Sequence, residues 1–314
     1  MSFLRRADQR TVLLLLLAGL MLLAGSLEGR FFTGANLLNV LRQSSIIGVI
    51  SLGMTVVILT GGIDLSVGSV LALSSLVAAS AVKSGAPAPL AWGCALLAGA
   101  FLGWINGLFT ANLRLPPFIV TLGMMGLARG LSFIYTGGAP ITGFPSLFRL
   151  PGAGVVAGLP VPAIIFGAAF VSAHILLERC PWGEYVRNTG SNLTAAWGSG
   201  LNVRGTVARA YLLSGLLASV AGLMLTGRLD SAQPGAGVGY EFGAIAAVVL
   251  GGTSFSGGAG TLSGTLLGVL IMAVLENGMN LLNVNPLSEQ LVKGIVIAAA
   301  LTAHGAMRRR TERS

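Results

Sequence analysis

Residues 40–83 read VLRQSSIIGVISLGMTVVILTGGIDLSVGSVLALSSLVAASAVK: an apolar run to Gly61, a polar interruption carrying Asp64, and a second apolar run from Ser66 to Lys83. A helix needs roughly 20 apolar residues to cross the hydrocarbon layer of a bilayer. Working outward from this pair, the chain offers ten such runs, near 11–28, 40–61, 66–83, 89–112, 117–136, 160–178, 206–227, 241–256, 260–283 and 287–306. The expected fold class is an all-α polytopic membrane protein of about ten transmembrane helices.

Composition excludes the other classes. Of 314 residues, 54% are hydrophobic, only 9% are charged and 46 are glycine. Soluble domains carry about 25% charged residues and about 7% glycine. Disorder fails on apolar content, and a collagen-like repeat fails because the glycines lack a three-residue period. A transmembrane β-barrel would alternate apolar and polar residues in short segments.

The net charge of +9 suggests topology rather than nucleic acid, because the basic residues gather at the termini and in one central loop. Arg5, Arg6 and Arg10 precede the first span, which reads as an uncleaved helix because further spans follow it. Arg308, Arg309, Arg310 and Arg313 follow the last span, and Arg179, Arg187, Arg204 and Arg209 fall in or beside the connection between the sixth and seventh spans. An even number of spans puts all three groups on one side, so both termini are expected in the cytoplasm. Cys94 and Cys180 then fall near opposite faces, and no disulfide is expected. The whole chain reads as one transmembrane domain, 1–314, with a cytoplasmic loop at about 179–205.

Glycine spacing adds an expectation about packing. Gly99, Gly103 and Gly107 recur every fourth residue in the fourth span, and Gly260, Gly264 and Gly268 do so in the ninth. Small-residue faces let helices approach closely where lipid supplies no hydrophobic drive. The shared pattern fits two inverted halves, spans two to five and seven to ten, although 46 glycines also make chance repetition common.

Polar residues inside apolar surroundings need reasons. Gly61 and Gly62 can end one helix while Asp64 caps the next, and the same broken segment, with Ser66, can line a translocation path. In the ninth span Glu276, Asn280 and Asn283 share a helical face beside Asn277, as a solute path or as helix-to-helix hydrogen bonding. Arg129 and Lys293 are candidate partners for Glu276, and Glu289 and Lys293, four apart, can neutralise each other. The glycine-rich run from Gly251 to Gly258 is no phosphate loop, because neither Lys83 nor Lys293 has the required spacing. His174 and His304 read as packing or interfacial residues, and no metal-ligand cluster or catalytic set is visible in the sequence.

Gly53 to Ser69, GMTVVILTGGIDLSVGS, closely resembles the signature of ribose-type permeases of bacterial ABC importers, in the branched-chain amino acid/ribose permease superfamily. Three further segments agree in order: Pro117 to Gly123, Leu250 to Phe255 with Gly257-Gly258, and the helix around Lys293-Gly294. The resemblance implies a monosaccharide permease whose membrane core holds two copies or a copy and a paralogue. A periplasmic sugar-binding protein would feed it, and a cytoplasmic ATPase carrying ATP and Mg would drive it. The family's ATPase-docking loop resembles Gly190 to Val203, with matches at Gly190, Asn192, Ala195, Ala196, Ser199, Gly200 and Val203. Glu184, Leu193, Thr194 and Trp197 depart from the family pattern. The competing expectation is a self-sufficient ion-coupled transporter using Asp64 or Glu276. Which sugar is carried is not legible.

Overall fold

A computed structural model describes residues 9–113, 115–285, 288–289, 291–296, 298 and 302. Half of the tenth expected span, 287–306, lies outside the described residues, and so do His304 and the basic residues Arg5, Arg6, Arg308, Arg309, Arg310 and Arg313.

The described residues are mostly helical. Its first five helices are α1 (Gln9–Leu27), α2 (Gly34–Leu59), α3 (Val67–Lys83), α4 (Ala88–Asn112) and α5 (Pro117–Thr136). The short strand β1 (Ile141–Thr142), the helix α6 (Ser146–Ala153) and the hairpin β2 (Val155–Val156) with β3 (Leu159–Pro160) lead to α7 (Val161–Glu178). Next come two short helices, α8 (Pro181–Ser191) and α9 (Leu193–Gly198), and the long α10 (Val203–Leu229). The strand β4 (Ser231–Ala232), which pairs antiparallel with β1, precedes α11 (Tyr240–Leu250) and α12 (Leu262–Leu281). Residues 288–289 and 291–296 are again helical.

Among the described residues seven helices are long and apolar enough to cross a membrane: α1, α2, α4, α5, α7, α10 and α12. The expected eighth span at 241–256 is corrected by α11, whose 11 residues extend only about 16 Å against roughly 30 Å of hydrocarbon. Glycines at 251, 252, 257 and 258 explain the early stop, and the last three have positive φ that ends regular helix.

Helices α2 and α10 form the centre, each with 78% of its most apolar window buried, whereas α1 is 6% buried and lies at the periphery against α12. The packing has a repeated pattern. α4 lies along α10 and α12 lies along α2. α3 touches both α4 and α10, and α11 touches both α12 and α2. Both long pairs run antiparallel: Gly99 of α4 faces Ser219 and Gly107 faces Ala208 of α10, while Thr55 of α2 meets Thr265 and Asn36 meets Asn277 of α12. α2 and α10 also oppose each other, since Val57 near the end of α2 packs with Tyr211 and Val207 near the start of α10. These are the contacts that two inverted copies of a three-helix unit make with each other.

Glycine sets the separation at these seams. A Cβ on Gly99 would collide with the Gly215 carbonyl, one on Gly103 with the Tyr211 carbonyl, and one on Gly107 with the Ala208 backbone. In the other half, Gly264 and Gly268 of α12 back onto the carbonyls of Gly251 and Ala247. Gly260 does not belong to that stripe, because α12 starts at Leu262, and its space is instead filled by the Thr253 side chain. Cys94 on α4 and Cys180 at the start of α8 are free thiols.

Replacing Gly103 by leucine should force α4 off α10 and cost about 1–3 kcal/mol or more. Gly123→Leu, where a side chain meets nothing within 4 Å, should be neutral. Thermal unfolding of the detergent-purified protein checks the contrast.

Candidate functional site

Three places in the fold gather the polar residues. The first is the break between α2 and α3. α2 ends at Leu59, and Gly61 with φ 83° turns the chain back, a backbone state that a side chain would strain. The returning segment exposes backbone groups inside an apolar bundle, where each needs a partner. Tyr211 Oη from α10 and Thr121 Oγ1 from α5 both donate to the Ile63 carbonyl, each at 3.2 Å. Asp64 Oδ1 accepts from the Ser66 amide at 3.0 Å and the Ser66 hydroxyl at 2.6 Å, and Oδ2 accepts from Ser214 Oγ of α10 at 2.8 Å. Asn106 Nδ2 of α4 donates to Ser66 Oγ at 2.9 Å. Asp64 therefore stabilises the start of α3 from two residues ahead of its N-cap, Ser66, whose own side chain caps nothing. Asp64 and Ser66 are fully enclosed at 1% and 0% exposure. They face a hydrogen-bonded core, whereas Gly61 and Gly62 line a cleft shared with Trp197 and Tyr211.

The second place is the return from α10 to α11. Asp230 caps α10 in the left-handed region at φ 52°. Its carboxylate accepts from the Phe144 amide at 2.9 Å and lies 3.5 Å from Arg149. Arg129 Nη1 of α5 donates to the carbonyls of Pro234 at 2.6 Å and Ala236 at 2.7 Å. Arg129 is thus corrected from a candidate partner of Glu276 to the clamp of this loop. At its end Gly237 packs against Gly68 of α3, so closely that a Cβ on Gly68 would strike the Gly237 carbonyl and crowd Glu241. The first turns of α3 and α11, one from each half, therefore meet.

The third place joins the α8–α9 connection to both breaks. Gly258 donates its amide to the Leu59 carbonyl at the end of α2 at 2.9 Å. Gly190, at the end of α8, lies on that same carbonyl with no room for a Cβ, and Gly257 packs between the Gly61 and Gly190 backbones. Arg187 of α8 pairs with Glu178 and donates to the Gly260 carbonyl at 2.7 Å. Asn192 Oδ1 caps α9 by accepting from the Ala195 amide at 2.9 Å, Gly200 closes the turn at φ 76°, and Ala196 is buried against Val57 and Val203. Ala195 and Ser199 lie on the exposed side of α9. Leu193 and Trp197 are also exposed, at 53% and 41%, with the Arg204 guanidinium 5.5 Å from the centre of the Trp197 rings.

The polar stripe of α12 divides. Asn277 exchanges two hydrogen bonds of 2.9 Å with Asn36, tying α12 to α2. Glu276 and Asn280 instead face a cavity of about 600 Å³, in which Lys293 lies 2.9 Å from both Glu276 and Glu289. Asn283 lies beyond α12 with φ 54°. Among the described residues no group of three or more metal-ligating side chains occurs.

Ser214, Asn106, Thr121 and Tyr211 were missed as partners of the α2–α3 break, although each is a polar group inside an apolar run and so carries a usable signal. Asp64→Leu should orphan two hydroxyls and an amide, at about 1–3 kcal/mol for each buried group. Ser172→Ala, on an exposed helix face, should be silent in the same unfolding measurement.

Comparison with known proteins matches the sequence to one family. The model described as branched-chain amino acid transport system / permease component matches residues 36–301. The chain is 46% identical over 298 residues to the ribose import permease protein RbsC of Escherichia coli (strain K12), covering 94% of this chain and 92% of that protein. It is 49% identical over 284 residues to the protein of the same name from Bacillus subtilis (strain 168), covering 90% and 88%. It is 35% identical over 312 residues to the fructose import permease protein FrcC of Rhizobium meliloti, covering 95% and 86%. No solved structure matches. With a family match over residues 36–301 and relatives aligned over most of both chains, the chain belongs to the family described as branched-chain amino acid transport system / permease component.

Proposed function

We propose that this chain is the permease subunit of an ATP-binding cassette importer that carries a monosaccharide across the inner membrane. Relatives named for ribose and fructose import, aligned over most of both chains, support the sugar class. The observation that carries the mechanism is the glycine junction of Gly190, Gly258 and Leu59. A force applied to α8 and α9 reaches the end of α2 and the α11–α12 loop together, through backbone contacts with no flexible side chain between them. Both halves of the bundle then respond to one push.

In this reading the exposed Leu193 and Trp197 side chains of α9 and the small residues around them, Asn192, Ala195, Ser199 and Gly200, receive a cytoplasmic ATPase. That partner binds ATP and Mg. The arginines of the α7–α10 connection support a cytoplasmic position for this end and for both termini. A periplasmic sugar-binding protein docks at the other end, and a second permease copy or a paralogue completes the path. This chain's own residues supply a passage and a mechanical link, and chemistry stays on the ATPase.

Two outcomes test this. Purified permease reconstituted with its ATPase and sugar-binding protein should take up ribose or another monosaccharide only when ATP is inside the vesicle with the ATPase. Uptake driven by a proton gradient with permease alone would instead establish an ion-coupled transporter. Gly190→Ala, which forces a methyl onto the Leu59 carbonyl, should leave the ATPase bound yet reduce uptake at least about tenfold, the effect of roughly 1.4 kcal/mol on a rate. Gly123→Ala on α5, where the added methyl meets nothing within 4 Å, should transport normally.

A further inference from the structure

The cavity beside Glu276 lies at the end of the bundle opposite α8 and α9. Its wall takes Arg228 from the last turn of α10, Glu276 and Asn280 from α12, and Lys293 from the helical residues that follow. Asn280 stands about 27 Å along α12 from Leu262, at 1.5 Å per residue. Tyr240 and Phe242, in the first turn of α11, reach the inner part of the same space.

Three features of this cavity point to one kind of occupant. Its volume of about 600 Å³ falls within the range of small-molecule sites. Its four charged side chains, Arg228, Glu276, Glu289 and Lys293, sum to zero (+1, −1, −1, +1), so the walls favour a neutral solute over an ion. The two carboxylates share one ammonium, which leaves carboxylate lone pairs free to accept hydroxyl protons. Among the described residues, the Gln43 amide and the Tyr240 hydroxyl also line this space without a hydrogen-bond partner. Apolar surface from Ile46, Ile47 and Phe242 completes it and suits the C–H face of a sugar ring.

We propose that this cavity is the entry site of the transported solute, a weak site for a neutral polyhydroxylated molecule of monosaccharide size. It rests on the importer reading above and adds the place where the solute first enters the permease. Carboxylates of Glu276 and Glu289 accept from adjacent hydroxyls, while the amides of Asn280 and Gln43 and the Lys293 ammonium donate to sugar oxygens. The site ends against the start of α11, so a shift of that short helix, driven from the glycine junction, opens the inner part of the cavity. The charged groups cannot remain facing hydrocarbon, and water or solute fills the space between them.

The test uses the complete transporter of permease, ATPase and binding protein in proteoliposomes, with radiolabelled ribose and fructose. Asn280→Leu and Gln43→Leu should each lower sugar uptake about tenfold, the value of one lost hydrogen bond to a polar group. ATP hydrolysis stimulated by loaded binding protein should stay within twofold of the unaltered complex, and Asn280→Gln should recover uptake. Unchanged uptake, or uptake and ATP hydrolysis falling together in a normally assembled complex, overturns the proposal. An independent arm replaces Cys94 and Cys180 by serine and introduces N280C. A charged, membrane-impermeant thiol reagent added on the binding-protein side should label it, and no labelling overturns the proposal. If the unaltered complex moves no monosaccharide, the importer reading fails, while the N280C labelling still reports whether the cavity opens to that side.

Discussion

The structure depends on one constraint: a helix interrupted inside an apolar bundle must find partners there for every backbone group it frees. The α2–α3 break meets that constraint with side chains from three other helices. Thr121 of α5 and Tyr211 of α10 satisfy Ile63, while Asn106 of α4 and Ser214 of α10 hold Ser66 and Asp64. The α10–α11 return meets it with Arg129, which spans from α5 to two loop carbonyls. Each break is therefore pinned by helices distant in sequence, and neither exists apart from the assembled bundle.

Close approach is the second half of the same economy. Hydrocarbon offers helices little reason to associate, so contact area must come from backbones packed without intervening side chains. The α4–α10 seam at Gly99, Gly103, Gly107 and Gly215 works this way, and so does the α11–α12 seam at Gly251, Gly264 and Gly268. The junction of Gly61, Gly190, Gly257 and Gly258 extends the device to the connection between α8 and α9. A side chain there would act as a compliant spacer, whereas glycine lets one backbone bear directly on another.

Much of the fold was legible because its signals are local. Apolar runs of spanning length mark α1, α2, α4, α5, α7, α10 and α12, and Asn192 followed by small residues marks the start of α9. Three readings fail because each rests on a local signal. Charge alone makes Arg129 a candidate partner of Glu276, but says nothing about which loop reaches it; its guanidinium serves carbonyls, which carry no sequence signature. Gly260 was placed in the α12 stripe by four-residue spacing, which holds only inside a helix, and Thr261 starts that helix later by accepting from the Gly264 amide. The 241–256 run looked long enough to span, but the glycines at its end turn the chain after Leu250.

The amino-acid sequence by itself determined the membrane class, most of the helices, the basic side and the polar residues that had to be explained, because hydropathy, charge and helix-start chemistry act over a few neighbouring residues. Only the tertiary structure decided what those polar residues do. It enclosed Asp64 with Ser66 and Ser214, turned the neighbours Glu276 and Asn277 to different partners, and brought Gly190 onto Leu59 and Gly258. Those outcomes depend on the relative placement of helices distant in sequence, such as Asp64 and Ser214 at a separation of 150 and Asn36 and Asn277 at 241, and no local periodicity encodes that placement.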